Sequence, residues 1–103
     1  MTSVSTHVLD AALGRPAAGL DVVLTLPDGT TETATTDADG RIRFAADLAG
    51  GAAGLRFATG PWFAAQGRDT LFPAVTVEFA VTGGHLHVAL LLSPFAYTTY
   101  RGS

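Results

Sequence analysis

Two histidines, His85 and His87, are separated by one residue in the largely apolar stretch of residues 85–92. Alternate side chains of a β-strand share a face, so both imidazoles would lie on one side, about 6–7 Å apart, while Leu86 and Val88 face the core. Such a pair suits general-base catalysis, because the pKa of histidine is close to neutral, or zinc binding if a third ligand is supplied. A surface strand that happens to carry two histidines is the simpler alternative.

His7 is the only other histidine, and the hydrophobic residues that follow it do not show which face of its strand is buried. A lone histidine in a strand usually has a structural role, and that alternative stays open. Arg41 follows the turn of residues 37–40. It is either a solvated arginine or a cation that binds an anionic or carbonyl-rich ligand through forked hydrogen bonds.

The C-terminal segment, residues 93–103, is rich in groups that can bind a ligand. It follows an apolar run, and its β-prone composition predicts an ordered last strand, with a frayed end as the alternative. The groups that could contact a ligand there are Tyr100, Arg101 and Ser103.

The composition excludes several classes of function. The chain has 103 residues, no cysteine and a net charge of -3 without a basic cluster. Disulfides, thiolate metal sites and nucleic-acid binding are therefore not expected. Neither a signal peptide nor a stretch long enough to span a membrane is apparent. We expect one cytoplasmic domain, residues 1–103, whose few charges favour self-association.

Turn signals recur at short intervals and predict an all-β domain. Residues 61–67 begin with Pro and end with Gly, which is typical of a short helix. Two segments, 12–19 and the Gly-rich 45–54, are expected to be loops. The architecture would be two antiparallel sheets packed face to face. The predicted strands are residues 4–10, 20–27, 30–36, 41–44, 55–60, 74–81, 85–92 and 95–103.

Four blocks of the sequence, taken together, resemble the transthyretin-related family. They are STHVLD (5–10), TDADGRI (36–42), HLHVALLLSP (85–94) and YTTYRGS (97–103). Within that family the chain resembles the 5-hydroxyisourate hydrolases and not the hormone-carrying transthyretins, and the final Tyr-Arg-Gly-Ser is the most specific mark. The departures are Leu86, Ala89 and Thr98, where relatives typically carry Tyr, Pro and Ser.

The resemblance implies a transthyretin-like β-sandwich of two four-stranded antiparallel sheets with one short helix. Four chains would form a homotetramer, a dimer of dimers, with sites at the interface. The implied reaction is hydrolysis of 5-hydroxyisourate to 2-oxo-4-hydroxy-4-carboxy-5-ureidoimidazoline, in the degradation of urate toward allantoin. It would need no cofactor and no metal, and neither nucleic acid nor a membrane would be a partner.

The resemblance also implies roles for individual residues. His87 would be the general base and His7 would orient the attacking water, although the two roles are interchangeable. Arg41 would stabilise the developing oxyanion. The implied catalytic residues are His7, Arg41, His87 and Ser103, and the implied substrate-binding residues are His7, Arg41, Thr98, Tyr100 and Arg101. The alternative is a non-catalytic protein of the same fold that binds a small ligand in the interface channel.

Overall fold

The computed structural model describes all residues, 1–103, and the expected all-β sandwich is confirmed. One helix, α1, covers Thr59–Ala64, somewhat earlier than the predicted 61–67. No helix is long and apolar enough to cross a membrane. The nine strands are β1 (Thr2–Asp10), β2 (Arg15–Pro16), β3 (Asp21–Thr25), β4 (Thr31–Thr35), β5 (Arg41–Leu48), β6 (Gly51–Phe57), β7 (Val75–Val81), β8 (His85–Ser93) and β9 (Ala96–Gly102).

The strands form two sheets. In the first, β9, β8 and β1 are neighbours in that order, and the far side of β1 pairs with β5 along one part and with β2 along the other. The second sheet has the order β4-β3-β6-β7. Two details correct the expectation of two purely antiparallel four-stranded sheets. The short β2 forms within the segment 12–19, predicted as a loop, and β1 pairs with β8 in parallel, because the chain passes through the other sheet between them.

The core lies between the two sheets and is filled by the inward side of each strand. The even-numbered residues of β8, from Leu86 to Leu92, are buried as the alternation predicts. Burying a side chain of this size contributes roughly 1.5–3 kcal/mol, so the packed interior fixes which face of each strand points outward. The largest fully buried side chains are Phe57, Phe63, Leu20, Leu24, Leu48, Leu55, Leu90 and Leu92.

Strand β5 continues into the Gly-rich segment 45–54, and β6 begins there, so the prediction of a loop is wrong. Only residues 49–50 separate the two strands. The register of β5 against β1 shifts at a bulge. There the N–H groups of Ala45 and Ala46 donate to the carboxylate oxygens of Glu32 at 2.8 and 2.9 Å. A side chain of the other sheet thus supplies acceptors that the β1–β5 ladder does not.

An ion pair fastens the end of β1 to the segment after α1. Asp10 is almost fully buried, and its carboxylate accepts from Arg68 at 2.7 Å and from the N–H groups of Ala12 and Leu13 at 3.1 and 3.0 Å. Burial raises the pKa of Asp10, but these donors lower it more, so it lies below its ordinary value. The Arg68 guanidinium also lies over the ring of Phe63. These contacts hold the far end of the strand that carries His7.

Candidate active site

The face of the first sheet that points away from the core carries all three histidines of the chain. On β1 the even-numbered side chains are buried and the odd-numbered ones are partly exposed, so His7 points outward. This resolves the orientation that the sequence left open. The parallel register sets Ser5 opposite His87 and His7 opposite Ala89. Because opposite residues of paired strands share a face, the histidines of both strands lie on the same side.

A polar cleft of about 440 Å³ opens on this face, a size that suits a small molecule. Ile42 is the only hydrophobic residue that lines it. The sequence-predicted residues in its walls are Arg41, His87 and Ser103, and those outside its walls are His7, Thr98, Tyr100 and Arg101. The other lining residues are Ser5, Thr6, Asp37, Arg43 and His85.

Arg41 is the first residue of β5 and enters the cleft directly from a tight turn. Asp37 Oδ1 accepts from the N–H of Arg41 at 2.9 Å, and the turn passes through Gly40 with φ of 76°. A Cβ at Gly40 would collide with the carbonyl oxygen of Val8, so only glycine allows this turn to approach β1 so closely. The antiparallel register then sets Arg41 opposite His7.

His87 is partly buried and is held from two sides. Its Nδ1 lies 2.7 Å from Ser5 Oγ. The carbon side of the ring packs against Gly102, where an added Cβ would overlap it. The position of the imidazole is therefore set by β1 on one side and by β9 on the other.

The electrostatic environment favours the neutral form of His87. Burial lowers the pKa of His87, and the electrostatic effects of Arg41 and of the neighbouring imidazoles of His7 and His85 on its protonated form lower it further. The imidazole is therefore neutral near pH 7, whereas an arginine keeps its charge at any physiological pH. A proton acceptor and a fixed cation thus line the same cleft.

Strand β9 carries the remaining predicted residues on its two faces. The register with β8 places Thr98 and Tyr100 on the histidine face, beyond the cleft walls. Arg101 pairs with the inward-facing Val88 and, together with Tyr100, lines a separate, mostly apolar cavity of about 250 Å³. Within one chain the structure therefore does not bring Arg101 together with His87.

Two serines of β1 belong to the site and were not among the predicted residues. Ser5 Oγ lies 2.7 Å from His87 Nδ1 and 3.0 Å from His85 Nε2, and Ser3 Oγ lies 2.6 Å from His85 Nδ1. The signal in the sequence is the alternation of Ser3, Ser5 and His7, which places both hydroxyls on the histidine face. That signal can be used only once the pairing of β1 with β8 is known.

The arrangement can activate water and stabilise negative charge. No group of three or more His, Cys, Asp or Glu side chains is close enough to hold a metal ion. The neutral imidazole of His87 can accept a proton from water, and the guanidinium of Arg41 can bind the oxygen on which charge develops. These two groups, in a cleft lined by polar side chains, suit the hydrolysis of a small, polar carbonyl compound.

Known proteins resemble the chain over its whole length. The HIUase/Transthyretin family profile matches residues 4–102. The chain is 44% identical to the 5-hydroxyisourate hydrolase of Caulobacter vibrioides, with 100% of both chains covered. The structure of Klebsiella pneumoniae 5-hydroxyisourate hydrolase has 40% identity and a TM-score of 0.92, covering 100% of this chain and 94% of that chain. Sea bream transthyretin in complex with thyroxine has 29% identity and a TM-score of 0.86, covering 96% and 93%.

Proposed function

The chain belongs to the HIUase/transthyretin family, and we propose that it is an enzyme that hydrolyses 5-hydroxyisourate. The observation that carries the proposal is the polar cleft that contains both the neutral imidazole of His87 and the guanidinium of Arg41. The full-length relatives with 44% and 40% identity are hydrolases of that compound by name. The reaction is the attack of water on a ring carbonyl, a step in urate degradation.

In this proposal His87 is the general base. It removes a proton from water as the water attacks the ring carbonyl, and Arg41 stabilises the oxygen on which negative charge collects. The tetrahedral adduct then collapses, the ring C–N bond breaks, and the proton held by His87 passes to the leaving nitrogen. His7, which pairs with Arg41 across β1 and β5, orients the water or exchanges roles with His87. These steps require no cofactor.

The other contacts position the substrate. Ser103 lines the cleft and follows Gly102, the residue against which the ring of His87 packs, so it would hydrogen-bond the substrate beside the base. Thr98 and Tyr100 share the histidine face and would contact parts of the ligand that extend beyond the cleft. Arg101 faces the opposite side of the sheet, so it would reach a substrate only from a neighbouring chain.

We also propose that the working unit is a cytoplasmic homotetramer, a dimer of dimers. Strand β9 is at the edge of its sheet, an arrangement that favours pairing with a second copy. Phe95 and Tyr100 are 68% and 52% exposed, and assembly would cover such aromatic surface. Native mass spectrometry should give four times the mass of the chain, and a stable monomer would contradict the assembly. Cell fractionation tests the location.

The alternative, a non-catalytic binding protein of the same fold, is not favoured. A carrier of a hydrophobic aromatic ligand needs a mostly apolar channel, whereas only one of the nine residues that line this cleft is hydrophobic. Ligand binding alone would also give no reason to hold a neutral imidazole beside an arginine. Hydrolysis uses both groups.

The test is the ultraviolet decay of freshly generated 5-hydroxyisourate with the wild type, with His87→Ala and without protein. The wild type should accelerate the decay, and His87→Ala should lose at least about 100-fold of that turnover while its assembly survives, because this is the usual contribution of a general base. Thr76→Ala, at an exposed position of β7 in the other sheet, is the control. A folded wild type without acceleration would contradict the function, and an active His87→Ala would remove His87 as the base.

A further inference from the structure

A line of hydrogen bonds runs from His87 across β1 and β8 to the start of β8. His87 Nδ1 is 2.7 Å from Ser5 Oγ, which is 3.0 Å from His85 Nε2. His85 Nδ1 is 2.6 Å from Ser3 Oγ, and Ser3 Oγ lies 3.4 Å from the carbonyl oxygen of Gly84. The reaction described above uses only the first member of this line, His87.

The line has a direction, because each serine hydroxyl has a single proton to donate. A carbonyl oxygen only accepts, so when the Ser3 hydroxyl donates to Gly84 at 3.4 Å, it accepts from His85 Nδ1 at 2.6 Å. A neutral imidazole has one N–H, so His85 Nε2 is then bare and accepts from Ser5. With its own proton engaged by His85, Ser5 Oγ accepts from His87 Nδ1, and His87 Nε2 is left bare.

We infer that Ser5 and His85 are positioning residues that hold His87 in the tautomer with a protonated Nδ1 and a bare Nε2. The inference rests on the proposed function in taking His87 as the general base. Gly102 packs against Cδ2, the ring carbon bonded to Nε2, so Nε2 is 3.5 Å from the position of a Cβ there, and both His87 and Ser103, the residue after Gly102, line the cleft. The tautomer decides catalysis, because a protonated Nε2 would donate a hydrogen bond to the water and could not remove its proton.

The positive side chains of Arg41 and Arg43 line the same cleft as His87. Burial and neighbouring positive charges lower the pKa of His87, which keeps the ring neutral, the condition under which the choice of tautomer matters. The titratable and charged groups that face His85 and His87 from neighbouring segments are His7, Asp37, Arg41, Arg43 and Asp47.

The tautomer can be measured in the free protein from the ¹⁵N shifts of the histidine rings, because protonated and bare nitrogens have widely separated shifts. The chain has three histidines, and single substitutions of His7 and His87 assign the signals. At about pH 8, above the ordinary histidine pKa, wild-type His87 should show a protonated Nδ1 and a bare Nε2. The opposite tautomer would overturn the inference.

Two variants distinguish the loss of this line of hydrogen bonds from a reversal of its donor and acceptor roles. Ser5→Ala removes the partner of Nδ1, so the tautomers should mix and kcat should fall about 10-fold with KM within about 2-fold, the scale of one hydrogen bond. His85→Phe frees Ser5 to donate to His87 Nδ1, so the tautomer should switch and kcat should fall further. Ser5→Thr retains the hydroxyl and should restore the wild-type signal. Ser93→Ala, at the far end of β8, is the matched control.

The inference and the proposed function fail in different ways. An unchanged tautomer and an unchanged kcat in both Ser5→Ala and His85→Phe would overturn the inference even if the wild type is a hydrolase. A wild type that shows the expected tautomer, lost in Ser5→Ala, but does not hydrolyse 5-hydroxyisourate would support the tautomer control and overturn the function. If Ser5→Ala does not fold, His85→Phe applies the same test at an exposed position.

Discussion

Replacing Gly102 with alanine should impair catalysis far more than folding. A Cβ at this position of β9 would overlap Cδ2 of His87 and lie 3.3 Å from Cγ. The ring would have to move by about 1 Å to regain an ordinary carbon–carbon contact of about 3.5 Å. Such a movement would stretch or misalign the 2.7 Å hydrogen bond between Ser5 Oγ and His87 Nδ1. A misplacement of about 1 Å in a catalytic group costs on the order of 100-fold in rate.

The free energy of unfolding should change little in the same variant. Gly102 has no positive φ, so alanine is compatible with its backbone. Alanine in a strand gains roughly 0.5–1 kcal/mol over glycine, because it loses less backbone entropy on folding. That gain offsets the strain of displacing a side chain that can rotate. The effect on rate and the effect on stability are therefore separable.

Gly54→Ala is the matched control for this experiment. Gly54 also lies in a strand, without a positive φ, and the nearest atom to its added Cβ is the carbonyl oxygen of Val77 at 3.8 Å. Both variants would be measured for 5-hydroxyisourate turnover and for urea unfolding. We expect kcat to fall about 100-fold only in Gly102→Ala, with both free energies of unfolding within about 1 kcal/mol of wild type. If Gly102→Ala retains the wild-type kcat, the conclusion that the ring of His87 must pack against a residue without a side chain is refuted.

Two further predictions concern pH. Because the pKa of His87 is lowered, kcat/KM should fall with acidification only below the ordinary histidine pKa of about 6.5. Arg41→Gln removes a repelling charge, so the acidic side of the kcat/KM profile should move to higher pH. An unchanged acidic side would contradict the assignment of His87 as the general base. Asp10→Ala should cost about 3 kcal/mol at pH 7 in urea unfolding, because Arg68 loses its carboxylate. The folded-state pKa of Asp10 is lowered, so the difference should persist above about pH 4 and shrink as pH falls through that pKa; a constant difference would contradict this reasoning.

The fold was predictable where a strand has one buried face. The stretch 85–92 alternates clearly, and the strand found there differs by one residue at its end. The segment 45–54 failed because alanine and glycine give no periodic hydrophobic signal, and because the bulge in it depends on Glu32, which lies in another sheet. The parallel pairing of β1 with β8 was also beyond prediction, since strand direction is a property of the whole topology and not of either segment.

The site was predictable only in part, for a related reason. The shared face of His85 and His87 follows from the strand that contains them. The outward direction of His7 does not follow from its own strand, because the hydrophobic residues after it lie on both faces of β1. The burial pattern in the structure shows which of the two faces points outward. The roles of Ser3 and Ser5 depend on which strand lies beside them. Contacts made across strands therefore needed the structure, whereas contacts within a strand did not.

The register between β1 and β8 connects the groups on the histidine face. It sets Ser3 opposite His85 and Ser5 opposite His87. A slip of one residue would turn both histidines into the core. A slip of two would preserve the faces but set Ser3 opposite His87 and leave His85 beyond the start of β1, so the line of hydrogen bonds could not form. The register is held by the buried side chains on the opposite face of the same two strands. Hydrophobic packing on one side of the sheet thereby selects which hydroxyl meets which imidazole on the other.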